Sequence, residues 1–316
     1  MNDKSTASEP LVFAADLGGT YLRVALVSAS GKIHKQHKQR TPKGESPDYV
    51  VDALVSAARN WDVGAIVAAS IMAPGAVDNQ NAVVVQAPNL PSLTNFPLKA
   101  VLEERLGWPV VLENDANAAA VGEMWLGAAR GCRDVVSVTL GTGVGGGVIL
   151  DGQLWRGAHG SAGEIGHTTV DPFGGLKCKC GNTGCLELFA SATAIVRMTR
   201  EKLSQFPQSI LKTEELTAEQ VYDAGREGDE LALMVFKRFG TYLGIGLANL
   251  INIVDPEIIV IAGGVVNGWE LFARDMQQEV NERAVRSTAK QVKIAAAQCG
   301  DNAGLLGAAR LAFTIL

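Results

Sequence analysis

Residues 135–150 read VVSVTLGTGVGGGVIL, and residues 11–31 read LVFAADLGGTYLRVALVSASG. Each begins with an apolar run that predicts a strand, Val135–Leu140 in one and Leu11–Ala15 in the other. Each run breaks at a glycine turn, Gly141–Gly147 and Asp16–Thr20, and a second apolar run follows, Val148–Leu150 and Leu22–Val27. The first of these hairpins closes on Asp151–Gly152 and the second near Ser30–Gly31, both ordinary turn chemistry. A second matching pair follows downstream. Ala65–Ile71 runs on to a turn at Gly75, and Glu257–Ala262 runs on to Gly263–Gly264. Two stretches with the same order of strands and glycine turns predict a duplicated α/β unit with a cleft between the copies.

Helical spacing of apolar residues marks residues 47–60, 98–106, 116–129, 230–254 and 302–314. Asn114 or Asp115 supplies the N-cap of the third. In the long fourth segment, Gly240, Gly244 and Gly246 predict close packing or a break.

Both glycine turns expose several backbone N–H groups on one concave surface, a good seat for an anion, and the hydroxyls of Thr20 and Thr142 add donors. Asp16 is negative and so suits Mg²⁺ better than phosphate. Together the turns predict a phosphate clamp. Gly141, Gly143 and Gly146 also fit a dinucleotide fingerprint, but that pattern must open a helix, and Val148–Leu150 reads as a strand. A protein-kinase reading fails as well, since no His-Arg-Asp or Asp-Phe-Gly follows.

A third signal lies in residues 160–187, where His167 precedes Cys178, Cys180 and Cys185. Three thiols and an imidazole make a complete tetrahedral zinc set with no open position, which predicts a structural metal. Three of the chain's five cysteines fall within eight residues, beside one of its four histidines. An odd-numbered cluster argues against a disulfide reading. Glu164 and Glu187 flank the cluster, so a metal there would hold two carboxylates and an imidazole nitrogen in place.

Composition limits the remaining options. In 316 residues, 47% hydrophobic and 19% charged content describes a well-packed globular chain. A net charge of −5 argues against general nucleic-acid binding. The polar first ten residues carry no signal-peptide core, and the uncharged run 239–254 suits a buried helix better than a membrane span. Unpaired cysteines fit a reducing cytoplasm. Residues 112–117, LENDAN, end a strand and start a helix, which makes Asp115 a candidate general base. A helix N-terminus is expected to lower its pKa, keeping it ionised.

The segments 16–20 (DLGGT), 113–117 (ENDAN), 140–147 (LGTGVGGG), 160–167 (GSAGEIGH) and 178–187 (CKCGNTGCLE) resemble the ROK family of bacterial sugar kinases and sugar-responsive repressors. The resemblance runs from about residue 11 to the C-terminus. It implies an α/β, actin-like and hexokinase-like (ribonuclease H-like) duplicated two-lobe ATPase fold with a structural zinc loop, binding ATP between its lobes. Residues 1–118 would form the smaller lobe, completed by a C-terminal helix at 303–316, and 119–302 the larger lobe with the zinc loop. By motif match, Asp115 corresponds to the base acting on a hexose 6-hydroxyl. Asn114, Glu164, His167 and Glu187 match sugar contacts, Gly75 and Asn89 lie where the smaller lobe also touches sugar, and Gly263–Gly264 matches the adenosine-side turn. Mg²⁺ and ATP would sit on Asp16, Gly18, Gly19, Thr20, Gly141, Thr142 and Gly143.

The implied activity is ATP-dependent phosphorylation of glucose to glucose 6-phosphate, by a cytoplasmic homodimer or homotetramer that binds neither nucleic acid nor membrane. N-acetylmannosamine, N-acetylglucosamine and fructose remain rival acceptors, and polyphosphate a rival donor. A sugar-sensing repressor is the reading from another class. It is disfavoured by the fifteen residues ahead of Asp16, too few for a helix-turn-helix domain. Tyr21 departs from the Asn or Lys that many members carry there.

Overall fold

The computed structural model describes residues 9–61, 65–73, 75–78, 83–87, 90–212 and 215–316. Its strands are β1 (Leu11–Leu17), β2 (Tyr21–Ser28), β3 (Ile33–Arg40), β4 (Ile66–Ala73), β5 (Ala76–Asp78), β6 (Val83–Gln86), β7 (Val110–Asn114), β8 (Val135–Leu140), β9 (Val144–Leu150), β10 (Gln153–Leu154), β11 (Ile258–Ala262) and β12 (Lys293–Ala296). The α-helices are α1 (Asp48–Arg59), α2 (Leu98–Leu106), α3 (Asp115–Leu126), α4 (Ala192–Lys202), α5 (Ala218–Arg226), α6 (Glu230–Val254), α7 (Trp269–Arg283), α8 (Arg286–Ala289) and α9 (Ala303–Phe313).

The chain divides into two compact units. The first holds Met1–Gly131, Leu154–Ala162 and Asp301–Leu316; the second holds Cys132–Gln153 and Gly163–Gly300. The break placed at 118/119 from the sequence falls inside α3, which stays whole in the first unit.

The first unit is built on a sheet of order β3-β2-β1-β4-β7, with β1, β2 and β3 antiparallel and β1, β4 and β7 parallel. Alternation along β1 divides its side chains: Leu11, Phe13, Ala15 and Leu17 join the core that also takes Val50, Val51 and Leu54 of α1 and Leu98 and Leu102 of α2. Helix α9 also packs against β1 and β4, and α3 packs against α9. Two glycines permit this helix pair. A Cβ at Gly307 would stand 1.7 Å from the Ala118 carbonyl oxygen, and one at Gly122 2.0 Å from that of Ala303. Gly307→Ala is expected to lower stability by about 1–3 kcal/mol, the scale of overpacking a tight contact, as a reduced denaturant midpoint at unchanged m.

The second unit repeats the order, β10-β9-β8-β11-β12, with antiparallel hairpins on one side and parallel β8, β11 and β12 on the other. The duplication read from the two glycine hairpins is therefore present in the topology of the two sheets. Helices α4, α5, α6 and α7 supply one continuous core with this sheet. Helix α6 is long and apolar enough to cross a bilayer, yet 61% of its most apolar window is buried inside the protein, as befits a core helix. Gly240 and Gly244 lie where a Cβ would meet the Phe272 and Met276 carbonyl oxygens of α7 at 2.6 and 2.5 Å. Of the two readings for these glycines, close packing is correct, and α6 runs unbroken.

The glycine run after β8 is shorter as a turn than its sequence suggests. Only Gly141–Gly143 turn, with Gly141 N–H donating to the Gly143 carbonyl at 2.9 Å. Gly145, Gly146 and Gly147 lie in β9, opposite Thr139, Val138 and Ser137. Gly146 is small because a Cβ there would come within 2.7 Å of the Gly163 carbonyl oxygen. Asp151 and Gly152 both take positive φ, 51° and 75°, as a two-residue hairpin requires.

Candidate active site

In the first unit, parallel pairing brings the carboxyl ends of β1, β4 and β7 to one edge. Asp16 pairs with Met72 and Met72 with Glu113, so Asp16 and the start of α3 share that edge. Carboxyl ends of strands are where open α/β sheets bind ligands. The Gly18–Tyr21 turn is closed by Gly18 N–H donating to the Tyr21 carbonyl at 3.0 Å. Thr41 braces it, its hydroxyl donating to the Gly18 carbonyl at 2.6 Å. Gly19 and Thr20 follow with partial and full exposure. Asp16 is not free: one of its carboxylate oxygens accepts from both Nε (2.9 Å) and an Nη of Arg23. A second Nη of Arg23 donates to the Asp301 carbonyl at 2.8 Å.

Asn114 settles the capping question. Its side-chain oxygen accepts from Ala116 and Asn117 N–H at 2.9 and 3.1 Å, making it the N-cap of α3. Its amide nitrogen donates to the Gly75 carbonyl at 3.0 Å, its one amide-hydrogen partner among the described residues. Asp115 is the first residue of the helix, and its Oδ1 accepts from Ala116 N–H at 2.8 Å.

Asp115 is exposed as a residue, but the chain packed around its carboxyl group desolvates it, and this is the largest influence on its acidity. Burial and the charge of Asp16 together raise its pKa above 3.8, despite opposing hydrogen bonds from Ala116 N–H and from Asn114. The expectation that the helix N-terminus would lower this pKa is overturned. Desolvation of the charged form outweighs the helix end, which makes Asp115 the stronger base. Gly75 is exposed on the same unit, and Asn89 lies outside the described residues.

In the second unit, β8 and β11 are parallel neighbours, so the Gly141–Gly143 and Gly263–Gly264 turns leave the same edge of their sheet. Gly263 has φ 90° and sits where a Cβ would lie 2.2 Å from the Leu140 carbonyl oxygen, while Gly264 faces open space. The Thr142 carbonyl accepts from the Thr193 hydroxyl at 2.7 Å. Beside Thr142 a cavity of about 440 Å³ is lined by Ala192, Val196, Arg197, Arg200 and Ala218. Glu187 reaches back to this turn: its Oε2 accepts from Val144 N–H at 3.0 Å, and only a glycine at 143 leaves it room.

The four ligand atoms of His167, Cys178, Cys180 and Cys185 lie within 4.8 Å of one another. Cys180 Sγ and Cys185 Sγ are 3.7 Å apart, and Cys178 Sγ is 3.6 Å from His167 Nδ1. A tetrahedron with metal–sulfur bonds of about 2.3 Å and metal–nitrogen bonds of about 2.0 Å has edges of about 3.8 Å between sulfurs and about 3.5 Å between sulfur and nitrogen. These two distances match tetrahedron edges, and all four donors lie close enough together to gather around one cation. Their loop is shaped for this, with Gly181 and Gly184 at φ 95° and 72° and Cys178 N–H donating to the Asn182 carbonyl at 2.8 Å. Without a cation, burial and then the neighbouring Cys180 and Cys178 push the Cys185 thiol up to about 12. Three sulfurs this close need a positive charge at their centre to coexist as thiolates. The other imidazole nitrogen, Nε2, lies 3.8 Å from Glu164 Oε2. One ring nitrogen therefore faces the cysteines and the other the Glu164 carboxylate.

The ROK family profile matches residues 12–315. The chain belongs to the ROK family. It is 36% identical to a ROK relative, the glucokinase of Halalkalibacterium halodurans, over 92% of this chain and 92% of that protein. The structure of a ROK family glucokinase from Streptomyces griseus, in complex with glucose and AMPPNP, matches with a TM-score of 0.82 at 36% identity, covering 96% of this chain and 99% of that one. The xylose repressor of Caldicellulosiruptor bescii is 32% identical over 94% of this chain and 76% of its own length.

Two features of this ROK chain escaped the motif reading. Arg23 sits among strand residues, where nothing in spacing distinguishes it from a surface arginine. Glu113 was visible only as the letter before Asn114, yet its side chain has no exposed surface and is paired with Arg156.

Proposed function

We propose that this chain is a sugar kinase that transfers the γ-phosphoryl group of ATP to the 6-hydroxyl of glucose. The observation that carries the reading is the place of Asp115, a carboxylate with a raised pKa held at the strand edge that also bears Asp16 and the Gly18–Thr20 turn. Asp115 takes the proton as the 6-oxygen forms its bond to the γ-phosphorus and the bond to the β-phosphate oxygen breaks, giving glucose 6-phosphate and ADP. The loose transition state of phosphoryl transfer asks mainly for alignment and charge stabilisation. Backbone N–H groups of Gly18–Thr20 and Gly141–Gly143 would stabilise the phosphates, Asp16 would hold Mg²⁺, which when bound would offset their charge, and Gly263–Gly264 would admit the adenosine.

Glu164, His167 Nε2, Glu187, the amide nitrogen of Asn114, and Gly75 with Asn89 read the sugar hydroxyls. Zinc on His167, Cys178, Cys180 and Cys185, when bound, supplies rigidity and charge and takes no part in the chemistry. With Nδ1 given to the metal, the Nε2 of a neutral His167 carries the hydrogen and donates to a ligand oxygen or to Glu164.

A coupled assay over glucose, mannose, fructose, N-acetylglucosamine and N-acetylmannosamine, with ATP or polyphosphate as donor, tests this. Glucose with ATP is expected to give the highest kcat/KM. Preference for an N-acetyl sugar would redirect the substrate, and the absence of phosphorylation of every sugar would end the reading. A base must be deprotonated to act, so activity is lost as pH falls through the raised pKa of Asp115. The acid limb of the kcat/KM profile is accordingly expected above pH 3.8. A limb at or below that value contradicts Asp115 as the base.

A further inference from the structure

We propose that the Glu113–Arg156 pair is a positioning device for Asp115, clamping the turn between β7 and α3 from a strap of chain at residues 154–162. The proposal rests on the reading of Asp115 as the base and assigns what aims it. Glu113 has 0% side-chain exposure and Arg156 35%. Glu113 Oε1 accepts from Asn114 N–H and from Asn117 Nδ2, both at 3.0 Å. One donor belongs to the end of the strand and the other to the first turn of the helix. Asp115 stands between them, so this single oxygen fixes the angle at which its backbone leaves the sheet.

Glu113 Oε2 takes two donors of Arg156, Nε and Nη2, each at 2.7 Å. Two donors of one planar guanidinium converging on a single oxygen fix direction as well as distance. The arrangement carries a cost. Asn117 must turn its amide nitrogen toward the carboxylate, and its buried Oδ1 then finds no partner among the described residues. An apolar residue at 113 would avoid the desolvation of a carboxylate but would leave Asn114 N–H, Asn117 Nδ2 and Arg156 without this acceptor.

The strap is itself shaped to present Arg156. The Ala162 N–H donates to the Arg156 carbonyl at 3.0 Å, closing the loop, and Gly157 turns it at φ 75°. A Cβ at Gly160 would lie 3.1 Å from the Val77 carbonyl oxygen, so the loop lies directly against β5. That strand follows Gly75, whose carbonyl accepts from Asn114. The turn bearing Asp115 is thereby held from Gly75, from Asn117 and from Arg156. Beyond Ala162 the chain continues into Gly163 and Glu164.

The test is steady-state kinetics of full-length Arg156→Met, Arg156→Lys, Glu113→Gln and the double variant Glu113→Gln/Arg156→Met, each with a melting curve, beside Asp115→Asn. Arg156→Met is expected to lower kcat by about one to two orders of magnitude, the cost of misplacing a reacting group by about an ångström, with little change in the KM for ATP. Arg156→Lys recovers part of the loss. The double variant turns over faster than Arg156→Met, because no buried charge is left unpaired.

Parental kcat in Arg156→Met, a loss wholly explained by a smaller folded fraction, or a double variant no faster than the single one would each overturn the proposal. Should Arg156→Met fail to fold, parental kcat in both Arg156→Lys and Glu113→Gln would overturn it equally, and reduced kcat in the folded variants would support it. Asp115→Asn separates the two readings. If it keeps turnover, the base assignment fails; if it is inactive while Arg156→Met is not, only the clamp fails.

Discussion

Replacing Asp115 by Asn is expected to lower kcat by about two to four orders of magnitude, the usual scale for loss of a general base, while the KM for glucose stays within a few-fold. Asparagine keeps the size and much of the hydrogen bonding of the side chain but cannot take the proton. The same substitution has a second readout of opposite sign. The folded-state pKa of Asp115 is raised, by burial first and by Asp16 besides. A carboxyl whose pKa is higher folded than unfolded favours the folded state at low pH, and that contribution is lost as pH rises through the folded value. At neutral pH the ionised group is therefore a liability to stability. Asp115→Asn is expected to melt at or above the parent temperature at pH 7 while being nearly inactive. Turnover near the parent's would remove Asp115 from the mechanism, and a marked fall in melting temperature would contradict the sign of the shift.

Cys180→Ser is expected to lose bound zinc and glucose affinity together. Metal analysis should fall from about one zinc per chain to well under a tenth, with the glucose KM rising about tenfold or more, since losing a donor costs a site at least the roughly 10–100-fold in affinity that a change outside the donor set costs. The physical route is short. Cys178 packs on His167 Nδ1, whose other nitrogen faces Glu164, and Cys185 leads directly into the turn that carries Glu187. Removing the cation leaves closely packed thiols that cannot all ionise, and the loop spreads. Because Glu187 also anchors Val144 N–H beside the Gly141–Gly143 turn, the KM for ATP is expected to rise as well, by a smaller factor. A zinc-free variant that titrates glucose normally would refute the organising role of the metal.

The reach of the sequence varied with the kind of signal each element carried. Helix α6 was legible from Glu230 to Val254 through its apolar periodicity between Asp229 and Asp255, and α2 from Leu98 to Leu106 mainly because Pro97 and Gly107 mark its ends. Strand β3 gave no such signal. Its sequence, IHKQHKQR, lies on the open edge of the sheet and buries none of its side chains fully, so no alternation betrays it. Helix α5 is marked in the sequence by the reciprocal cap between Thr217 and Gln220, a local signal that apolar periodicity does not carry. The long glycine run misled in the other direction. Three of its glycines serve as strand residues in β9, and at Gly146 the small size answers a neighbour far away in sequence.

Local spacing sufficed for the repeated order of strands and turns and for the four residues of the Cys/His cluster, and the likeness of five motifs sufficed for the family. Tertiary structure decided what depends on long-range company. It reversed the expected sign of the Asp115 shift, since desolvation and the charge of Asp16 are properties of the surrounding chain. It gave one oxygen of Asp16 to Arg23, and it buried Glu113 against an arginine 43 positions away. Spacing can place a residue on an element, but only packing fixes its dielectric surroundings and its partner, and those set the acidity and aim of the group that does the chemistry.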